Sequence, residues 1–309
     1  MLFFILIIVA LGLDALFGEP DWLWARVPHP VRAMGAAITL ADSALNKGQQ
    51  KRLKGALAVA GLVLGFGALA VAVARVPDYA VLEVLVAAIL IGHRSLVQHV
   101  AAVAAGLSVS LPAGRKAVAM IVGRDVAALD ESGVARAAIE SAAENFSDGV
   151  VAPVFWFWLF GLPGIVIYKL VNTADSMIGH RNEKYEEFGW AAARLDDVMN
   201  FVPARIAAGL IALSATSQNA VEAVRRDASQ HRSPNAGWPE AAMAGALDIA
   251  LSGPRRYDGQ LTEDAFVNAT GRKELAVPDI EAAVRQLWKS WGVMLGVIAV
   301  IGLFGWWLG

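Results

Sequence analysis

The sequence predicts an all-α, polytopic integral membrane protein, and three observations predict it. The chain is 57% hydrophobic with a mean hydropathy of +0.52. Its apolar residues are gathered into runs long enough to cross a bilayer, separated by more polar segments. Its ten Trp are a further mark of an integral membrane protein. About four spanning helices are expected, together with a re-entrant or extra hydrophobic helix pair. The formal charge, 26 basic against 28 acidic residues, is −2, which argues against nucleic acid as a partner. Without cysteine there is no disulfide, thiolate nucleophile or cysteine-ligated metal centre.

The whole of 1–309 reads as one membrane-embedded domain. Residues 1–17 form the first apolar helix, a retained membrane helix without the basic flank of a signal peptide. It carries one charge, Asp14, and breaks at Gly18-Glu19-Pro20. In the Trp- and Pro-rich stretch that follows, His29 lies between two prolines, so its backbone is expected to be extended. Arg32, Glu19 and Asp21 are close by in sequence. Lys47, Lys51, Arg52 and Lys54 then mark 18–54 as cytoplasmic. The second helix is expected at 55–76 and, after a Pro77-Asp78 turn, a third at 79–105, starting at Tyr79. Its His93 and His99 are read as structural.

Residues 108–149 read as soluble-facing helices, with Arg124 among their charges. Val150–Val171 is long enough to span, but Gly161-Leu162-Pro163-Gly164 at its centre is a turn signal. A re-entrant hairpin is preferred there, because it keeps 172–200 on the side of the preceding acidic residues. Phe201–Leu213, interrupted by Pro203 and Arg205, is judged too short to span. Residues 220–287 form the main soluble-facing segment. Within it Pro239 and Glu240 open a helix running to Leu251 that Ser252-Gly253-Pro254 stops, followed by Arg255, Arg256 and Tyr257. Residues 287–308 form the last span, and both termini are expected outside.

Function is concentrated in Glu140–Asn200. On a helix Glu140 and Glu144 lie nearly in line, with Asn145 and Asp148 beside them. Asn172, Asp175, Asp196, Asp197 and Asn200 follow after the apolar run. Hard oxygen donors of this kind suit Mg²⁺ held partly by substrate phosphates, and Glu144, Asp148 and Asp175 are the expected ligands. Lys169, Arg181, Arg194 and Arg205 can neutralise the same phosphates. Glu140, Glu144, Asn145, Asp148, Asp196 and Asp197 are the catalytic candidates. His29, Arg32, Asn172, Arg194, Asn200, Arg205, Asn235 and Trp238 are the substrate-binding candidates. The competing readings are a solvated helix face, a Mg²⁺-dependent prenyltransferase using a diphosphate, and a transporter. The small residues Ala241 to Ala246 are read as a surface for a large flat ligand resting on Trp238, against the alternative of a tight helix contact.

At these residues the chain resembles the cobalamin-biosynthesis proteins CobD/CbiB, the adenosylcobinamide-phosphate synthases. The resemblance runs from about Leu13 to Gly259. It rests on Asp14 before Gly18-Glu19-Pro20, on His29-Pro30-Val31, and on ESAAENFSDGVVAP from Glu140 to Pro153. NTADSMIG from Asn172, RLDDVMNFVPAR from Arg194 and SPNAGWPEAAMAGAL from Ser233 complete it. It implies an ATP- and Mg²⁺-dependent ligase without a tightly bound prosthetic group. Such an enzyme joins adenosylcobyric acid to (R)-1-amino-2-propanol phosphate or a related aminoalcohol at the cytoplasmic face of the cell membrane. Corrinoid, aminoalcohol phosphate and membrane lipid are the implied partners, and homo-oligomers or association with other cobalamin-pathway enzymes are compatible with it.

Overall fold

The computed structural model describes residues 2–78, 80–123, 125–253, 255–257, 260–262 and 264–308. The expected helix starts at Met1 and Tyr79, the cation Arg124, Pro254 of the helix stop and Gly259 at the end of the resemblance lie outside the described residues. So do the side chains of Asp21, Arg255, Arg256 and Tyr257.

The described chain is almost wholly helical. It runs through α1 (Leu2–Phe17), α2 (Asp21–Trp24), α3 (Pro30–Leu45), α4 (Lys51–Ala74), α5 (Val81–Leu90) and α6 (His93–Val109). Next come α7 (Leu111–Val118), α8 (Glu131–Phe146), a π-helical turn Ser147–Val151, α9 (Ala152–Ile178) and α10 (Trp190–Ala215). α11 (Gln218–Asp227), a 3₁₀ turn Ala228–Gln230 and α12 (Gly237–Leu247) lead to four short strands and then to α13 (Val277–Leu308). The strands, which the sequence did not announce, pair antiparallel as β1 (Leu251–Ser252) with β4 (Phe266–Val267) and β2 (Arg255–Tyr257) with β3 (Gln260–Thr262).

Among the described residues, five stretches are long and apolar enough to cross a membrane: Lys51–Ala74, Val81–Val109, Glu131–Ile178, Trp190–Ala215 and Val277–Trp307. Three differ from expectation. The third helix breaks at Ile91-Gly92, where Ile91 is extended (ψ 134) and the Gly92 N–H donates to the Gly149 carbonyl at 3.0 Å. α10 starts at Trp190 and carries Pro203 without stopping, so it is twice the length read from the sequence. α13 begins at Val277 rather than Leu287.

The longest of these stretches is not straight. Gly161 has φ 64 and ψ −150, a conformation almost confined to glycine. There the chain turns back: Tyr168 Oη donates to the Asp148 carbonyl at 2.9 Å. In a continuous helix residues twenty apart would stand about 30 Å from each other. A side chain at Gly164 would collide with the Trp156 carbonyl, so the two arms approach backbone to backbone just past the turn.

The chain forms two compact units. One comprises residues 1–92, 148–201 and 305–309, the other 93–147 and 202–304. In the first, α4 and α9 pack side by side, and Ala152, Tyr168, Val171 and Met199 make a buried cluster covered by Val63, Trp156, Ile167 and Leu195. In the second, α6, α7 and α8 pack together and α11 lies along α12. Gln286 donates to the Ile211 carbonyl at 3.0 Å, tying α13 to the second half of α10.

Candidate functional site

The expected site residues divide between the two units, and each unit holds a polar cluster. In the first, the sequence places Tyr168, Asn172 and Asp175 at i, i+4 and i+7 on the returning arm of α9, hence on one face. Asp196 and Asn200 occupy one face of α10 in the same way. Asp196, 9% exposed, accepts from Asn172 Nδ2 at 3.2 Å and from Asn200 Nδ2 at 3.0 Å, one bond on each oxygen. The Asn200 side-chain oxygen, Oδ1, in turn lies 2.8 Å from the Tyr168 hydroxyl, which reaches the Asp148 backbone carbonyl on its other side. A hydroxyl has one proton, so it serves one of these two acceptors at a time.

Asp148 sits in the π-helical turn, a local widening that recurs at functional sites. Asp175 and Asp197 act electrostatically on Asp196, although Asp197 itself lies one step round α10 with Arg194 at 3.6 Å. Lys169, beside Tyr168, stands within the fields of Glu19, Asp148 and Asp14. Asp14 is 3% exposed although it sits in an apolar helix.

His29 caps α3: its Nδ1 accepts from the Val31 N–H at 3.2 Å, while Pro30 supplies the preset φ of the first turn. Burial holds the His29 ring below the usual imidazole range, and Lys169 and Arg32 push the same way, against Glu19 and the Ile89 carbonyl.

In the second unit Glu140, 5% exposed, accepts from the Ser252 N–H at 2.7 Å. Ser252 Oγ donates to Glu240 at 3.2 Å, and His231 Nε2 stands 3.7 Å from the other Glu240 oxygen. Two buried carboxylates thus converge on one serine, next to a small cavity lined in part by His231, Arg232 and Ser252.

This alters the helix-face reading. Glu140 is buried and hydrogen-bonded, whereas Glu144 and Asn145, a turn further on, are exposed. Asn145 donates back to the Ser141 carbonyl at 2.9 Å. Arg205 donates to Asn235 at 2.9 Å and to the Pro234 carbonyl at 3.2 Å, and its guanidinium lies 4.3 Å above the Trp238 ring. Three expected ligand-binding residues therefore bind one another, and Arg205 covers the Trp238 face assigned to a flat ligand. The small-residue surface is also corrected. Ala241, Ala242 and Ala244 are fully buried, and a side chain at Gly245 would strike the Asn219 carbonyl and Ala220 of α11. α12 is a close helix contact, because only small residues let α11 approach.

Among the described residues no three His, Asp or Glu side chains are gathered so as to hold a metal ion by themselves. Glu144, Asp148 and Asp175 are the carboxylates that the sequence assigns to the ion. Their oxygen chemistry fits Mg²⁺ that arrives with phosphate oxygens to complete its shell. Tyr168, Glu240, Ser252 and His231 were absent from the sequence-level candidates. A hydroxyl within a membrane-grade run was the one available signal, at Tyr168.

The family description CobD/Cbib protein matches residues 7–287. The chain belongs to the CobD/CbiB family. It is 48% identical to the cobalamin biosynthesis protein CobD of Rhizobium meliloti (strain 1021) over 97% of both chains. It is 46% identical to the protein of that name from Brucella suis biovar 1, over 99% of this chain and 98% of that one. With its namesake from Rhodobacter capsulatus it shares 46% identity over 98% of each. No solved structure matches the chain. The CobD/CbiB motifs are the ones that carry the geometry: NTADSMIG supplies Asn172 and Asp175, RLDDVMNFVPAR supplies Asp196, Asn200 and Arg205, and SPNAGWPEAAMAGAL supplies Asn235, Trp238 and Glu240.

Proposed function

We propose that this chain makes the amide bond of adenosylcobinamide phosphate, joining adenosylcobyric acid to (R)-1-amino-2-propanol phosphate or a close relative at the expense of ATP. The enzyme is seated in the cell membrane with its chemistry on the cytoplasmic side. Family membership supports the pathway, and one observation supports the chemistry. Beside the apolar hairpin, Lys169 stands among Asp14, Glu19 and Asp148, while Asp196 is fixed by two carboxamides. Ionisable groups kept at membrane-grade segments are retained for function rather than for stability.

A carboxylate does not react with an amine until it is activated. The substrate carboxylate attacks the terminal phosphorus of ATP, the bridging P–O bond breaks and ADP leaves. The amine then attacks the acyl carbon, the C–O bond to phosphate breaks, and inorganic phosphate departs. Mg²⁺, when bound by Asp148 and Asp175, would offset the charge of the nucleotide phosphates. Lys169 attracts the transferred phosphoryl group. Asp196, oriented through both oxygens, takes the proton that the amine gives up.

The test is product formation. Purified protein in detergent, given adenosylcobyric acid, the aminoalcohol phosphate, ATP and Mg²⁺, is expected to yield the amide by mass spectrometry, with none when any substrate is withheld. A prenylated product from an isoprenoid diphosphate and an aromatic acceptor, with no amide, would replace this reading with a prenyltransferase.

A further inference from the structure

Among the described residues of the first unit, two side-chain donors are enclosed with nothing to donate to: Trp24 Nε1 and His29 Nε2. Their rings stand 4.5 Å apart, edge to face at 67°. The proton of neutral His29 is on Nε2, since Nδ1 is occupied in accepting the Val31 N–H. The Ile89 carbonyl acts on the ring but does not reach Nε2 with hydrogen-bond geometry. A buried N–H without an acceptor costs free energy that a protein avoids unless the group has another use, and here two lie side by side.

The segment is built to hold them. α2, which carries Trp24, is bracketed by Gly18, in the left-handed region at φ 58, and Pro20 on one side, and by Pro28 and Pro30 on the other. Lys169, Arg32 and Glu19 all act electrostatically on His29, two positive charges against one negative. Asp14, Glu19 and Asp148 all act on Lys169, so the two cations are not in surplus, and a phosphate dianion would meet these carboxylates with twice the repulsion of a singly charged oxyanion.

We propose that Trp24 Nε1–H and His29 Nε2–H form a two-donor subsite for the carboxylate of the acid substrate. There they hold its oxygen while the other is activated, and they stabilise the oxyanion that forms when the amine adds. Neutral N–H pairs aimed at one oxygen in a dry site are the usual device for that charge. The subsite rests on the ligase reading above, and it deepens it by adding Trp24 and giving His29 a stated atom and role.

Calorimetric titration of the full-length protein in detergent tests it, with adenosylcobyric acid, Mg²⁺-free ATP and (R)-1-amino-2-propanol phosphate as separate probes. Trp24→Phe keeps the ring and removes the N–H. His29→Phe removes the second donor, and His29→Gln restores an N–H near the same place. Trp24→Phe and His29→Phe are each expected to weaken the acid about tenfold. They should leave the other two probes unchanged, and His29→Gln should recover most of the loss. Trp24→Phe should melt no lower than wild type, because no bond is lost. Unchanged affinity for the acid together with a lower melting temperature would overturn the proposal by giving the N–H a structural partner. Weakening confined to ATP or the aminoalcohol phosphate would overturn it in favour of a phosphate site. Wild type binding the acid with every variant unaffected refutes the subsite alone; wild type binding none of the probes removes the ligase reading with it.

Discussion

Asp196 uses both of its oxygens as acceptors, so an amide cannot replace it silently. In Asp196→Asn one of the two positions becomes an N–H₂ facing the N–H₂ of Asn172 or Asn200. Loss of one bond and a donor–donor contact should destabilise the protein by about 1–3 kcal/mol. Turnover should fall about 10²–10⁴-fold if Asp196 is the proton acceptor. A steady-state assay beside a thermal melt separates the two effects, and near-normal turnover would remove Asp196 from the chemistry. His29 makes a pH prediction with a definite sign. Its folded-state value lies below the ordinary 6.5. The unfolded chain therefore takes up the proton first as pH falls, and stability declines from pH 7 toward pH 5. His29→Gln should flatten that decline in melts run across the range, and an identical slope in the variant would show that His29 is not its source.

At the scale of elements, α12 decides between ligand surface and packing. An added Cβ at Gly245 meets Ala220 Cα at 2.6 Å and its N at 2.8 Å, and these are backbone atoms that cannot rotate away. Gly245→Val should cost about 1–3 kcal/mol or more, visible as a lower melting temperature and poorer yield. The apparent KM for the corrinoid in the surviving protein should stay normal. A raised corrinoid KM at unchanged stability would restore the ligand-surface reading. The sequence could not make this choice, because a run of alanines and glycines looks alike whether it meets a cofactor or a helix. The apolar runs were legible for the opposite reason: length and composition alone mark them. Pro203 misled because a proline within a long helix costs one N–H bond without necessarily ending it, and α10 continues through it.

For the whole molecule, the sequence named the acidic and amide residues but not their partners. Glu140 meets Ser252 across 112 positions and Tyr168 meets Asn200 across 32, and no local pattern encodes such pairings. At this scale, which side of the membrane each segment faces turns on α10. By length and composition Trp190–Ala215 can cross. Yet its first half carries Arg194, Asp196, Asp197 and Asn200, and Arg205 is engaged by Asn235 and the Pro234 carbonyl. The uninterrupted apolar part, Ile206–Leu213, is only about 12 Å long at 1.5 Å per residue, against roughly 30 Å of hydrocarbon. α10 is therefore expected to begin and end on the cytoplasmic side, and the turn at Gly161 returns 172–178 to the side from which 147–151 enters. The natural chain has no cysteine, so single cysteines introduced at the exposed Ser176 and Ser229 report their own compartment without background. Both should resist a membrane-impermeant maleimide in intact cells and react once the cells are opened. Labelling of Ser229→Cys alone in intact cells would make α10 a true span. Labelling of Ser176→Cys would mean that Glu131–Ile178 crosses despite its turn, and the cytoplasmic placement of Asp148 and Asp175 would have to be given up.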